Sequence, residues 1–494
     1  MKHWGMRFAF PKLLRKVIMM NKYFFFDRGI IQPQATRNFA VRTCKGVKDT
    51  ENNPLFREDF FSEPSRKWEV RYDNGYPNLF YDPIMGIYRL YYTLFSHDPD
   101  SSGTPLENRI GKQYTPRGDR ITSTAYAESK DGIHWVKPSL GLVEFEGSTD
   151  NNLLMMYAHG TSVMLDEQEI DPSKRYKLMT RVDYPGTRGF MAVSFSADGL
   201  HWQELLPWPK HNPQADSHNF VFRDHTDGMY KLITRIWKNG MRVSAMCESS
   251  DFIHWSEPKE VLRGSGFANQ VYSMPVFRCG KLFLGLASVF HEGDMDDTDF
   301  DTVDLELTMA TQVDTFDFVA PRDHLIERGA GRYPTGEFDC GCIYASPPVE
   351  IDGKNYIYYM GGNGQHTNYR ETSFARAAFE IDKWACLVPK NPDKESQVMT
   401  SMFHFYGETF EIMADIDHVS NLKVALFNHY RDQEPIEGYG FEDAALEPGE
   451  NGYFRVRFSK PLMELSTKNP RIVIKSKNAK LYAIRGELAI STTR

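Results

Sequence analysis

One seven-residue phrase recurs along the chain and constrains its fold more than any other feature. It reads Ser129-Lys-Asp-Gly-Ile-His-Trp135, then Ser196-Ala-Asp-Gly-Leu-His-Trp202, then Ser249-Ser-Asp-Phe-Ile-His-Trp255. Looser echoes follow at Asp314-Thr-Phe-Asp-Phe318 and Ile381-Asp-Lys-Trp384. From Trp135 to Trp202 is 67 residues, and from Trp202 to Trp255 is 53; the next steps, to Phe318 and Trp384, are 63 and 66. Five near-equal units predict one supersecondary element used five times. Within each phrase Asp and Gly suit a tight turn. The tryptophan that follows is expected to pack between neighbouring units, a scaffold role.

Each unit also carries paired strands joined by a Gly-containing turn. Examples are Asn78-Leu-Phe-Tyr-Asp82 with Tyr88-Arg-Leu-Tyr-Tyr-Thr93, and Asn219-Phe-Val-Phe222 with Tyr230-Lys-Leu-Ile-Thr234 across Asp227-Gly228. Asp-Gly between aromatic or β-branched runs is a strong hairpin signal. Four antiparallel strands in each of five units, with no long helical period, predict a five-bladed β-propeller, whose radial closure leaves few exposed sheet edges. After about residue 400 the pattern changes to short alternating strands separated by Pro- and Gly-rich turns, which predicts a β-sandwich. The expected organisation is all-β: an N-terminal extension (1–20), a lead-in (21–66), the propeller (67–399) and a C-terminal β-sandwich (400–494).

Aromatic residues make up 14 % of the chain, a level that favours strands. Net charge is −8 and no block of Lys or Arg forms a stripe, so nucleic acid is not an expected partner. No run reaches the ~18 apolar residues of a membrane span, and the segment from Phe8 to Met20 is too broken by Pro11, Lys12, Arg15 and Lys16 for a signal peptide. A cytoplasmic location is expected, with a secreted or periplasmic one the alternative, and Met20 is an alternative start. The six cysteines show neither C-x-x-C pairs nor a disulfide framework, so reduced thiols are expected. The acidic stretch Asp294, Asp296, Asp297, Asp299 and Asp301 does not match a calcium loop and reads as solvated. Neither cofactor nor metal is called for.

Chemistry is expected where the innermost strands begin, because those positions gather at one mouth of the central channel. Unit one offers Asp73, Asn74 and Asn78; unit two His159; unit three Asp216, His218 and Asn219; unit four Gln270 and Tyr272; unit five Glu337, Asp339 and Tyr344. Carboxyls from several blades, converging on one opening, suit glycoside transfer. One carboxyl protonates the leaving oxygen while another attacks the anomeric carbon or activates water. Asp73, Asp216, Glu337 and Asp339 are therefore the candidate catalytic groups. Asn74, Asn78, His159, His218, Asn219 and Gln270 are candidate substrate-binding groups. Tyr272 and Tyr344 are candidate stacking surfaces, and Arg188 and Arg235 candidate planar donors.

Tyr72-Asp-Asn-Gly-Tyr-Pro-Asn-Leu-Phe-Tyr-Asp-Pro83, Asp216-Ser-His-Asn-Phe-Val-Phe-Arg-Asp224 and the Ser-x-Asp-Gly-x-x-Trp phrases resemble the five-bladed propeller glycosidases. The chain is similar to glycoside hydrolase family 32 and more distantly to family 43 over roughly residues 20–490. The resemblance implies an aspartate nucleophile from blade one, matched by Asp73, and a stabilising aspartate from blade three, matched by Asp216. It also implies a glutamate acid from blade four, but the segment Tyr272-Ser-Met-Pro275, where it should fall, holds no acid. Glu337, Asp339, or Asp304 and Glu306 are the substitutes. The expected function is a glycoside hydrolase acting on a small glycan. A non-catalytic carbohydrate-binding propeller, and a lyase or phosphorylase on the same scaffold, are the alternatives.

Overall fold

Five consecutive antiparallel meanders carry the five repeats. In this computed structural model, which describes residues 20–467 and 469–491, blade one runs through Asn78–Asp82, Ile87–His97, Ile121–Ser129 and Trp135–Val136. Blade two runs through Ala158–Leu165, Tyr176–Val182, Phe190–Ser196 and Leu206–Pro207. Blade three uses Phe220–Arg223, Tyr230–Lys238, Met241–Ser249 and Lys259–Arg263. Blade four uses Asn269–Ser273, Leu282–His291 and Val303–Ala310, edged by Asp317–Phe318 and His324–Ile326. Blade five uses Cys342–Ala345, Lys354–Gly362 and Thr372–Glu380, and its outer edge is completed by Val47–Lys48 and Phe56–Arg57 from the start of the chain. The residues 1–20 expected as an extension lie, except for Met20, outside the described residues.

Short polar side chains on or beside the first two strands of each blade join one blade to the next. The Val163 N–H donates to the Asn78 side-chain carbonyl (2.5 Å), and the Val221 N–H to the Ser162 hydroxyl (3.2 Å). Ser288 donates to the Ile343 carbonyl, and the Leu79 N–H donates to Ser346 (3.2 Å), which closes blade five onto blade one. These residues are buried, so each bond satisfies a backbone group that has no access to water.

The recurrent phrase builds the turn between the third and fourth strands at the end opposite the mouth. The Ser129 hydroxyl accepts the Gly132 N–H and donates to Asp131. One Asp131 oxygen accepts the N–H groups of Ile133 and His134, and the other lies 2.7 Å from His134 Nδ1. The same pattern recurs at Asp198 with His201 and Asp251 with His254, again at 2.7 Å. Partial burial works against ionisation of these aspartates, but the hydrogen bonds from histidine and backbone hold all three well below the usual carboxylate range. The aromatic that follows packs on the preceding blade. Trp135 meets Tyr358 and Phe374 of blade five, Trp202 joins Tyr91 and Tyr126 of blade one, and Trp384 meets Phe277 of blade four. Trp255 stacks on Trp208 at 5.4 Å.

The chain divides into two compact units, Val41–Cys386 and Met1–Ala40 with Leu387–Arg494, where the sequence pattern divides it at 66/67 and 399/400. The difference comes from long-range pairing that no local pattern announces. Asn21–Phe24 pairs with Lys480–Ile490, so the first part of the lead-in belongs to the second unit. The strand Ser396–Asp415 first pairs with Arg471–Ser476 and then, past Met402, with Tyr453–Phe458 and Lys480–Ile490. It thereby serves both layers of a β-sandwich, as corner strands do. Phe403, Phe410, Ile412, Val424, Ile472, Ile474, Leu481 and Ile484 are buried in that unit. Among the described residues no helix is long and apolar enough to cross a membrane.

Candidate active site

In every blade the innermost strand starts, and the second strand ends, at the same mouth. Loops between second and third strands therefore surround it: residues 98–120, 183–189, 292–302 and 363–371, with a tight turn at Asn239 and Gly240 in blade three. Asp73 stands in a turn of unusual backbone, with Asp73, Gly75 and Tyr76 all left-handed (φ 56°, 65° and 39°). A Cβ on Gly75 would sit 2.3 Å from Met360, so the position admits only glycine.

The Asp73 side chain is 26 % exposed, while its two arginine partners are buried. Arg370 donates to it at 2.8 Å and Arg71 at 3.2 Å. Burial opposes the charge, but Arg370 and then Arg71 hold the carboxyl well below its ordinary range. Its carboxylate is partly accessible and favoured in the ionised form. Arg370 also donates to the Asn74 carbonyl oxygen (2.7 Å) and to the main-chain carbonyls of Gln365 and His366. Cys340 and Cys342 tie the same loop through the carbonyls of Asn363 and Gly364.

Aromatic rings pack beneath the mouth: Tyr76, Tyr272 and Tyr344 are only 3, 8 and 2 % exposed, so Tyr272 and Tyr344, expected as stacking surfaces, belong to the core under the site and offer no open face. Tyr76 lies 5.8–5.9 Å from His159, His218 and Tyr344, and Tyr272 lies 5.9 Å from Tyr344 and 4.7 Å from His366. The Tyr344 hydroxyl is 2.9 Å from His366 Nδ1. Burial, and then the Arg370 charge, hold His366 well below the ordinary histidine range, so it is neutral. Burial alone pushes His218 down to about 3. Across this layer, Arg235 lies over the Tyr272 ring (4.6 Å) and is ion-paired with Asp216, whose side chain is 41 % exposed. A continuous chain of contacts thus runs from Asp73 through Arg370, His366, Tyr272 and Arg235 to Asp216.

Several expected residues serve the walls instead. Asn78 is committed to Val163, and the Asn219 amide to Thr234 and the carbonyls of Ala215, Ser217 and His159. Asn74 is held between Arg370 and the Tyr76 hydroxyl. Gln270 is buried and positions two neighbours, Arg242 and Glu292. Arg188 is exposed on the rim. Asp339 is removed from the catalytic candidates: its side chain is 0 % exposed, paired with Lys48 of the blade-closing strand (2.6 Å) and accepting from Tyr359. Glu337 lies beside it in the 329–341 loop, accepting from the Ala330 N–H, and joins none of the contacts around Asp73. Asp304 and Glu306 are likewise buried, Asp304 against His291 and Arg328 and Glu306 against the Arg322 N–H.

The strand-start rule missed groups that reach the mouth from the second strands. Glu292 follows the second strand of blade four; its side chain is one-third exposed, bonded to Arg242 and to Gln270, each at 2.6 Å. Asp183 follows the second strand of blade two, 3.5 Å from His159 Nδ1 and 2.7 Å from Arg181. The signal was available: antiparallel pairing brings the end of each second strand beside the start of the first. A further carboxyl, Glu58, accepts the N–H groups of Tyr72 and Thr372 beside Asp73; burial, then the nearby Glu371 charge, pushes it up to about 7. Among the described residues, no group of three His, Cys, Asp or Glu side chains is arranged to hold a metal ion.

No protein-family model and no curated protein matches the chain. Solved structures do resemble it in shape. An N-acetylgalactosamine deacetylase from F. plautii, crystallised with blood group B trisaccharide, aligns at a TM-score of 0.44 and 14 % identity over 70 % of this chain and 96 % of its own. A glycosyl hydrolase from Bacteroides ovatus aligns at 0.45 and 13 %, over 68 % and 94 %. A structure described with the GH130 family of mannoside phosphorylases, said to contain hydrolases of β-1,2 mannosidic linkages in Candida mannan, aligns at 0.40 and 13 %, over 72 % and 94 %. These likenesses assign no residue a role, and none of the three is described as a family 32 enzyme.

Proposed function

We propose that the protein is a glycoside hydrolase acting on a small glycan at this mouth. The observation that carries the proposal is Asp73: a partly exposed carboxylate, kept ionised by two buried arginines, above a layer of buried tyrosines. An ionised carboxylate suits attack on an anomeric carbon or activation of water, and the half-buried rings of His159 and His366 suit contact with a sugar. Asp216, on the far side of Tyr272, takes the part of a second carboxylate that stabilises positive charge developing on the ring.

Glu292 is the proton donor in this reading, a role that requires it to give up its Arg242 pair and take up a proton as substrate enters. It enters from blade four, the blade from which the family 32 resemblance implies an acid, although it sits at the end of the second strand. The proton passes from the Glu292 carboxyl to the leaving oxygen as the glycosidic bond breaks. Asp73 attacks the anomeric carbon, or takes the proton of the attacking water.

Purified protein screened against aryl glycosides and fructans tests the whole reading. Asp73→Asn is expected to lower kcat/KM by about 10³-fold or more while glycan binding survives. Glu292→Gln is expected to lose activity on substrates with poor leaving groups but to retain most of it on dinitrophenyl glycosides, which need no protonation. Full activity in Asp73→Asn would end the proposal, and binding without turnover in the wild type would favour the carbohydrate-binding alternative.

A further inference from the structure

Beside Asp216 lies a cavity of about 310 Å³. That is near the lower end of ligand pockets, which run from roughly 300 to 1,000 Å³, and gives room for one sugar ring. Its lining includes Arg181, Arg188, Asn212, Gln214, Asp216 and Trp237. Three separate segments supply it: the strand and loop that end blade two's second strand at the mouth, the connection into blade three, and the end of blade three's second strand.

Most polar groups of this lining are already committed. Arg181 donates to Asp183 at 2.7 Å and to the Gln214 carbonyl. Asp216 is paired with Arg235. The Asn212 carbonyl oxygen accepts the Met191 N–H at 2.8 Å. Two side chains of the lining stay open to solvent. Arg188 is exposed and has no ion-pair partner among the described residues. Trp237 is 41 % exposed although it lies at a cavity. Its ring is fixed by the guanidinium groups of Arg242 and Arg235, 4.5 and 5.5 Å from its centre, so the platform is held in place before any ligand arrives. Charges in and directly behind the cavity are Arg181, Arg188, Arg235 and Arg242 against Asp183, Asp216 and Glu292, a surplus of one cation.

We infer that this cavity is a second subsite that takes an anionic sugar, a uronic acid residue whose ring lies on Trp237 and whose carboxylate pairs with Arg188. The inference rests on the function proposed above and names the kind of glycan that would reach Asp73: one in which the residue next to the cleaved bond is acidic. Arg188 offers the planar donor pair that a carboxylate matches. The wall formed by Asp216 does not repel the ligand, because Arg235 balances it.

Saturation-transfer NMR and calorimetry on the full chain, with glucuronic acid, galacturonic acid, glucose, galactose and inorganic phosphate as separate probes, test this. The uronic acids are expected to bind the wild type better than the matching neutral hexoses. Arg188→Gln is expected to weaken uronic acid binding by about 10-fold, the effect of losing one charge-assisted pair, and Arg188→Lys by less. Trp237→Ala is expected to weaken acidic and neutral sugars alike. Equal binding of glucose and glucuronic acid, indifference of uronic acid binding to Arg188→Gln, or binding of phosphate in place of uronic acid would each overturn the inference. Asp73→Asn turnover, read on aryl glycosides in parallel, separates the two readings. Its loss without any uronic acid preference retires the subsite alone, and its persistence retires the glycosidase.

Discussion

The two ends of the propeller solve different problems with similar residues. At the turn end, Asp131, Asp198 and Asp251 repeat one hydrogen-bond pattern with His134, His201 and His254. At the mouth no such phrase recurs. There the blades pair carboxylates with arginines: Asp73 with Arg71 and Arg370, Asp183 with Arg181, Asp216 with Arg235, Glu292 with Arg242, and Glu371 with Arg109. Every blade meets the same packing task at the turn end, so one local solution serves repeatedly. Under the proposed function the mouth suits one asymmetric ligand, so each blade supplies a different side chain. Repetition then marks the scaffold, and departure from it the proposed site.

Arg370→Ala is the strongest way to break this contrast. It removes a buried cation that holds Asp73, Asn74 and the 363–371 loop together. A loss of about 3–5 kcal/mol in stability is expected, the usual cost of leaving a buried partner unpaired. With it should go about 10³-fold or more of kcat/KM, measured on whatever protein stays folded. Trp255→Ala, at the turn end, should be as costly to stability, about 3–5 kcal/mol for a truncated buried aromatic, but should leave the KM of the folded protein unchanged. Urea titrations and initial rates on the same samples check both. A KM shift in Trp255→Ala would mean that the two ends are coupled.

The pH axis separates the ends as well. His218, buried near the mouth, is neutral in the folded protein down to about 3 but titrates near its ordinary value of 6.5 when unfolded. Between those values the unfolded chain binds more protons, so stability is present above 6.5 and is lost as pH falls toward 3. The slope has an upper limit of about 1.36 kcal/mol per pH unit. Glu58 works the other way: pushed up to about 7, it stabilises at pH below its unfolded value of 4.5, and that contribution is lost as pH rises through 7. The readout is therefore the difference between wild type and His218→Gln, measured by urea titration from pH 7 to pH 4. Parallel stability curves would remove His218 as a source of acid sensitivity.

The same contrast explains what could be read from the sequence. Five blades were legible because the Ser-x-Asp-x-x-His-Trp phrase is a local turn whose residues bond to one another within three positions. Asp73, Asp216 and the ring of Tyr272, Tyr344 and His159 were legible because strand starts can be counted from that phrase. Glu292, Asp183 and Arg242 were not, because the count considered only the first strand of each blade. Arg370 and His366 lie in a loop with no repeat to count by; their bonds to Asp73 and Tyr344 span 297 and 22 residues. Asp339 looked like a mouth carboxyl because it precedes an inner strand. Its partner Lys48 comes from the strand that closes the ring, a long-range pairing with no local signature.

The smallest effects test the repeat itself. Asp131→Asn, Asp198→Asn and Asp251→Asn each weaken the bonds to two N–H groups and one histidine on a partly exposed turn. A cost of about 1 kcal/mol is expected for each at pH 7, with no change in activity. Because the three turns share one geometry, the three costs should agree within about 0.5 kcal/mol. Their pH dependence has a stated sign. The folded aspartates are held below their ordinary value of 3.8, so the stability they add is present above 3.8 and is lost as pH falls below it. The gap between wild type and the triple variant should therefore be widest near neutrality and narrow below pH 3.8, a range distinct from that of His218. Chemical melts at pH 7 and pH 3 measure it. A gap that stays constant would mean that the turns draw on hydrogen-bond shape rather than on carboxylate charge, and unequal costs among the three would show that Phe252, where the other turns have Gly132 and Gly199, changes the third turn in more than sequence.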